Sequence, residues 1–193
     1  FRDSLIFVNG WLVGHHESGY SGARYDITDV VNLGGRNLIA VRVDASRAEG
    51  WWYEGAGIYR HVWLVKTSPL AVAPDGVFVY SQFKGNLPVG PAEMHIQTRL
   101  HNASKQAASA SVVWTVIAPN GKPVAKAQRS AKLAAGALSD LEQSARVAAP
   151  ELWSPETPKL YRLQTEVSSA GKIVDRVETT FGIRTVAFDA DKG

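Results

Sequence analysis

The sequence predicts an all-β fold arranged as two successive sandwich-type units, and three observations point to it. Short segments of alternating apolar and polar residues recur along the chain with turn residues between them. Asn9-Gly10 stands between the apolar runs 4–8 and 11–14, and Asn-Gly is the strongest short hairpin signal because both residues tolerate a positive φ in a type I′ turn. No 3.6-residue periodicity persists beyond a turn or two, so no helix of ordinary length is expected.

After the first hairpin, Asp26-Ile27-Thr28-Asp29 caps a single helical turn that reaches Leu33 and is closed by Gly34-Gly35. Residues 37–44 alternate cleanly, with Leu38, Ala40 and Arg42 on one face and Ile39, Val41 and Val43 on the other. Residues 58–66 read as a further strand, joined to the previous one by a long aromatic loop over 45–57.

A second unit begins near Ser68-Pro69. Its strands are expected at 77–82, 93–101, 111–118, 124–132, 138–147, 160–168 and 173–181, with hairpin turns at Pro119-Asn120-Gly121-Lys122 and Ala170-Gly171-Lys172. Seven short strands at this spacing match an immunoglobulin-type sandwich. Met94, Ile96, Thr98 and Leu100 share one face of their strand, as do Tyr161, Leu163, Thr165 and Val167 of theirs. Trp114, in the third strand, is expected at the centre of the core. Tyr161 follows the Pro155/Pro158 corner, where a tyrosine hydroxyl can bond back to the backbone. The Ala-rich pieces 134–137 and 145–149 tempt a helix, but strands and loops are preferred because nothing leaves a partner layer for one.

Composition excludes several classes. There is no cysteine, so neither a disulfide framework nor a thiolate metal site is available. That fits cytosol or periplasm. The compartment stays open, with periplasm or secretion favoured over cytosol. The net charge of +3 comes from scattered Lys and Arg, without the basic clustering beside aromatics of a nucleic-acid reader. No apolar run approaches the ~20 residues that span a bilayer. The chain begins at Phe1, without an initiator Met or a signal-peptide pattern and almost inside a strand, so both ends are expected to be cut.

The loop 49–57 is the least ordinary stretch. Trp51, Trp52 and Tyr53 are consecutive, and in an extended chain neighbours point to opposite sides, so they cannot all face one core. Flat aromatic faces beside Glu49 and Glu54 suit a sugar, whose C–H face packs on an indole while carboxylates accept its hydroxyl protons. The residues themselves leave two readings open, sugar contact and inter-domain packing. His15-His16 point apart on a strand and do not make a metal pair; no metal site and no cofactor are expected. His61 is expected to be structural on its strand, and His95 and His101 to lie on the surface. Asn102-Ala103-Ser104 is a glycosylation sequon, meaningful only in a eukaryotic secretory pathway. Nucleophile elbow, P-loop and dinucleotide fingerprint are all missing from the sequence.

The runs Phe7-Val8-Asn9-Gly10-Trp11-Leu12-Val13-Gly14-His15-His16, Gly19-Tyr20 and Asp26-Ile27-Thr28 resemble the sugar-binding domain of family 2 glycoside hydrolases. So does Trp52-Tyr53-Glu54-Gly55-Ala56-Gly57-Ile58-Tyr59-Arg60-His61-Val62-Trp63-Leu64, which is similar to that family's W-Y-x-G-x-G-I-Y-R signature. Leu152-Trp153-Ser154-Pro155-Glu156-Thr157-Pro158-Lys159-Leu160-Tyr161 resembles its sandwich-domain motif. Phe181-Gly182-Ile183-Arg184-Thr185 and Asp189-Ala190-Asp191-Lys192-Gly193 resemble the run-in to its catalytic barrel. Four motifs in order span almost the whole chain, with the β-galactosidase-like branch as the best fit.

The resemblance implies that residues 1–68 are the C-terminal part of a jelly-roll, galactose-binding-like domain, that 69–185 form the immunoglobulin-like sandwich, and that 186–193 lead into a (β/α)8 barrel. It implies a retaining mechanism using two glutamates on that barrel, with carboxyls roughly 5–5.5 Å apart. The family's acid/base follows an Asn, and this chain contains no Asn-Glu dipeptide. No catalytic residue is therefore assigned, and the chain alone is expected to be inactive. A pocket-rim role falls to Trp51, Trp52, Tyr53 and Glu54. Many relatives have Arg where this chain has Trp51, which favours stacking or packing there. The expected partners are a carbohydrate substrate through the parent enzyme, the barrel in cis, and a second copy of the chain; nucleic acid and membrane are not expected. The rival reading is a free-standing carbohydrate-binding or adhesion module. A parent sequence with a barrel bearing Asn-Glu and a later Glu decides against it.

Overall fold

In the computed structural model, which describes residues 3–46, 55–188 and 190–191, alternation along the sequence becomes alternation of burial. The chain divides into two compact units, 1–64 and 65–193.

In the first unit, β1 (Ser4–Val8) pairs antiparallel with β2 (Trp11–His16) and with β3 (Ile39–Val43), in the order β2-β1-β3. Asn9 (φ +51°) and Gly10 (φ +87°) both take the left-handed conformation of the expected turn. The Asn9 side chain does more than turn the chain. Its amide donates to Val30 C=O and to Asn37 Oδ1, both at 2.8 Å, and its Oδ1 accepts the Leu38 N–H at 2.9 Å. Asn37 in turn donates to the carbonyls of Asn32 and Gly35 and accepts the Asn32 N–H, so three asparagines pin the loop 26–37 to the hairpin.

Two expectations for this unit need correcting. Asp26 Oδ1 accepts the N–H and hydroxyl of Thr28, and Val30 and Val31 N–H both reach Ile27 C=O, but the coil stops there as a turn and no helix forms after it. Residues 58–66 form no strand, and His61 is accordingly not on one. A strand needs a neighbour to take up its N–H and C=O groups. No strand among the described residues forms a ladder with 58–66, and Ile58, Val62, Trp63 and Leu64 stay exposed.

The second unit is a seven-strand sandwich of two antiparallel sheets. One holds β4 (Leu70–Gln82), β5 (Ala92–Asn102) and β8 (Leu138–Val147) in the order β4-β5-β8. The other holds β6 (Ala108–Ile117), β7 (Pro123–Leu133), β9 (Leu160–Ser169) and β10 (Lys172–Gly182) in the order β10-β9-β6-β7. Met94, Ile96, Thr98 and Leu100 on β5 are buried together with Val112, Trp114 and Val116 on β6 and with Tyr161, Leu163, Thr165 and Val167 on β9. Trp114 lies at the centre as expected and donates its indole N–H to Thr98 Oγ1 on the facing sheet. Both expected hairpins are present, with Gly121 at φ +82° and Ala170-Gly171 at +48° and +75°.

Strand β4 starts at Leu70 rather than at 77. Its pairing with β5 is interrupted by a bulge between Val72 and Val77, which contains Pro74, Asp75 (φ +52°) and Gly76. A side chain at Gly76 would come within 2.6 Å of Ala73 O and 2.8 Å of Arg99 O. Read from sequence, Pro-Asp-Gly is a turn, which hides the first half of the strand.

The expected tyrosine corner forms. Glu151 N–H donates to Tyr161 Oη at 2.8 Å, and the Tyr161 ring packs on Phe181. Asn102, the sequon asparagine, is fully buried. Its amide donates to the carbonyls of Gln106 and Ala134, and its Oδ1 accepts from Ser104 N–H and Oγ, so it serves as a loop fastener.

Candidate functional site

Trp51, Trp52, Tyr53 and Glu54 lie outside the described residues, and so do residues 47–50 before them. What the structure shows is how the loop is held at each end. On the entering side, β3 ends at Val43 and Asp44 Oδ1 accepts the N–H and the hydroxyl of Ser46, at 3.0 and 2.6 Å. This turn closes on the residue's own side chain and redirects the chain as it leaves the sheet.

On the exit side, Gly57 sits at φ +110°, a conformation that a residue with a Cβ rarely adopts. Tyr59 then donates its hydroxyl to Gly19 C=O at 2.8 Å. That bond ties the segment after the loop to the Gly19-Tyr20 segment, joining residues 40 apart in sequence. Arg60 places its guanidinium 5.4 Å from the Tyr59 ring centroid, within cation–π range. The His61 and Trp63 rings lie 5.3 Å apart at 58°. Tyr20, Tyr59 and Trp63 are all exposed within this unit. The segment after the loop thus carries exposed aromatic faces, which can stack on an apolar ligand face.

His15 and His16 point to different partners, as strand alternation requires. His15 Nε2 approaches Asp3 Oδ1 at 3.7 Å, while His16 Nε2 meets Ser21 O at 3.0 Å. No group of three potential metal-ligating side chains occurs among the described residues. His95 and His101, expected on the surface, are both half-buried. The His95 ring stacks under Tyr80, which covers it.

On the sandwich, Asp140, Glu151, Glu166 and Glu178 each pair with a cation, respectively Arg99, Lys159, Arg176 and Arg162. The bidentate Arg99 contact, at 2.7 and 3.1 Å, holds the Asp140 carboxyl below its ordinary range. These are exposed cross-strand or loop pairs on the sheet faces.

The last of the sequence motifs forms a clasp. Trp153 N–H donates to Ile183 C=O at 2.9 Å, and its ring lies against Gly182, where a Cβ would fall 2.8 Å from Trp153 Cγ. The Arg184 guanidinium caps the same ring at 4.9 Å, and Ser81 Oγ holds Arg184 C=O at 3.0 Å.

The sequence profile of the glycosyl hydrolases family 2 matches residues 73–184. The chain belongs to this family. The β-galactosidase BoGH2A of Bacteroides ovatus is 35% identical over all of this chain, which spans 22% of that protein. A putative β-glucuronidase of Formosa agariphila is 31% identical over all of the chain and 18% of its own length. Among solved structures, a family 2 member from Bacteroides cellulosilyticus matches all of the chain with a TM-score of 0.90 at 34% identity, over 26% of its own chain. A Bacteroides uniformis β-glucuronidase matches 97% with a TM-score of 0.83 at 27% identity, over 24% of its own chain. The chain therefore spans about a fifth to a quarter of these relatives. The likeness runs through both units, so the three-stranded segment and the immunoglobulin-like sandwich both belong to the family's architecture.

Proposed function

We propose that this chain is a non-catalytic accessory region of a retaining, β-galactosidase-like glycoside hydrolase that cleaves O-glycosidic bonds in carbohydrates. The observation that carries the reading is the family match over 73–184, within relatives that are named β-galactosidases and β-glucuronidases and of which the chain spans 22% and 18%. Residues 1–68 are the C-terminal part of the sugar-binding domain, 69–185 the sandwich, and 186–193 the lead into the barrel.

The chain has two roles in that enzyme. The sandwich scaffolds the barrel. The Trp153–Gly182–Arg184 clasp and the Ser81 bond fix the chain as it leaves β10, which suits a support that must orient the next domain. The loop with Trp51, Trp52, Tyr53 and Glu54 contributes to the rim of the sugar pocket. Its anchorage at Asp44 and at Tyr59–Gly19 supports this, because a rim loop must be held at both ends to present side chains. The paired carboxylates of a retaining enzyme, roughly 5–5.5 Å apart, belong to the barrel.

The test compares the parent enzyme with this chain alone on nitrophenyl β-galactoside and β-glucuronide. The parent turns over one of them, Trp52→Ala in the parent raises KM, and the chain alone is silent. Turnover by the purified chain, after controls for host enzymes, or a parent without glycosidase activity overturns the reading.

A further inference from the structure

We propose that the outer face of the β4-β5-β8 sheet binds a polysaccharide chain, taking the C–H face of a hexopyranose on Tyr80 and Phe78. Three rows of side chains cross this face in register. They are Phe78–Gln97–Glu142, Tyr80–His95–Ser144 and Gln82–Glu93–Arg146. Rows two residues apart along a strand stand roughly 6.5–7 Å apart, so the face is longer than one sugar ring.

The first two rows supply two adjoining ring faces, Phe78 and Tyr80, inclined to each other by 35°. Tyr80 and His95 stack with ring centroids 4.9 Å apart at an interplanar angle of 15°, and Phe78 adjoins Tyr80 at 5.6 Å. Phe78 remains 58% exposed and Tyr80 40%. His95 Nε2 is enclosed and finds no hydrogen-bond partner in the structure, and the ring stacks against Tyr80 as its support. The third row opens into a shallow depression of about 580 Å³, lined by Gln82, Glu93, Ser144 and Arg146 together with Lys84.

The composition of the face selects its occupant. The centre of a protein–protein interface is depleted in charge, yet here Glu93, Arg146 and Glu142 stand in register beside the rings. A sugar asks for both chemistries at once, an apolar face to stack and hydroxyls that need donors and acceptors around their edge. Glutamate, glutamine, serine and arginine side chains provide them here. The choice of carbohydrate over other amphiphilic ligands rests on the proposed glycosidase parent.

The experiment is affinity electrophoresis of this chain in native gels containing β-1,4-galactan, glucuronoxylan or a neutral β-glucan, with calorimetry on any polysaccharide that retards it. Retardation by at least one is expected. Tyr80→Ala is expected to weaken binding by about tenfold, Glu93→Gln to weaken it less, and Gln128→Ala on the other sheet to leave it unchanged. The urea-unfolding midpoint of each variant verifies its fold. No retardation by any of the three, or equal retardation of Tyr80→Ala, overturns the proposal. An active parent with a non-binding chain defeats only this inference; a binding chain from an inactive parent defeats only the glycosidase reading.

Discussion

Trp114 and Thr98 are bonded across the sandwich, indole N–H to hydroxyl at 2.9 Å, with both residues buried. The bond satisfies the only polar atom of the largest core side chain, and it links β6 to β5 at the centre of the two sheets. Truncation there leaves a void between the sheets, so Trp114→Ala is expected to cost roughly 3–5 kcal/mol in urea unfolding. Trp114→Phe strands the Thr98 hydroxyl, and Thr98→Val strands the indole N–H. A double-mutant cycle should return a coupling of about 0.5–1.5 kcal/mol. A loss below about 1 kcal/mol for Trp114→Ala would contradict this placement.

Gly182 is required by its neighbour rather than by its own backbone. Its φ is not in the left-handed region, but a Cβ would meet Trp153 Cγ at 2.8 Å. Gly182→Ala is expected to destabilise by about 1–3 kcal/mol. Combined with Trp153→Ala, it should cost less than the sum of the two single changes, because the second removes the obstacle. Additive costs would show that the ring does not press on this position.

The Arg99–Asp140 pair gives a pH expectation. The guanidinium hydrogen bond depresses the Asp140 pKa in the folded state. The pair's contribution is therefore complete above the ordinary carboxylate range and fades as pH falls through the lowered value. Both groups are exposed, so salt screens the effect and its contribution to stability is small. The carboxyl carbon of Asp140 should titrate below the ordinary carboxylate range in NMR, and Arg99→Met should restore it. A midpoint that ignores Arg99→Met would contradict the assignment.

The first unit exposes Ile58, Val62, Trp63 and Leu64, and among the described residues β2 and β3 are the edges of its three-stranded sheet. Apolar surface and unpaired strand edges invite association. The isolated chain is expected to show concentration-dependent self-association by light scattering. A monodisperse monomer with protected amides throughout 4–43 would show this unit to be self-sufficient.

Where burial is one-sided and partners are successive in the chain, the sequence was readable. The seven sandwich strands, the Asn9-Gly10 turn and the Tyr161 corner come from period-two alternation and local turn chemistry. Features that depend on a distant partner were not readable. Residues 58–66 have strand-like composition but no strand pairing among the described residues. Asn102 looks like a sequon because nothing local shows that the carbonyls of Gln106 and Ala134 claim its amide. The Tyr59–Gly19 bond joins two motifs whose separation no pattern bridges. The Phe78–Tyr80–His95 face was passed over because alternation labels it only as the solvent side. The rim role proposed for Trp51, Trp52, Tyr53 and Glu54 rests on their motif, and the structure adds the Asp44–Ser46 turn before them and the Tyr59–Gly19 bond after them.

The Asn9-Gly10 turn also sets how this protein ages. Asn-Gly is the dipeptide most prone to lose its side-chain amide, since a glycine in second place leaves the backbone nitrogen free to attack. Here the amide is engaged twice, with Val30 C=O and Asn37 Oδ1 both accepting from it. Conversion to aspartate would set an acceptor against two acceptors and release the loop 26–37 from the hairpin. The same contacts that build the loop should slow the conversion, because cyclisation requires the side chain to swing out of them. Intact-mass measurement over weeks should find Asn9 deamidating more slowly in the folded chain than in urea. Equal rates in the two conditions would mean that the network gives no protection.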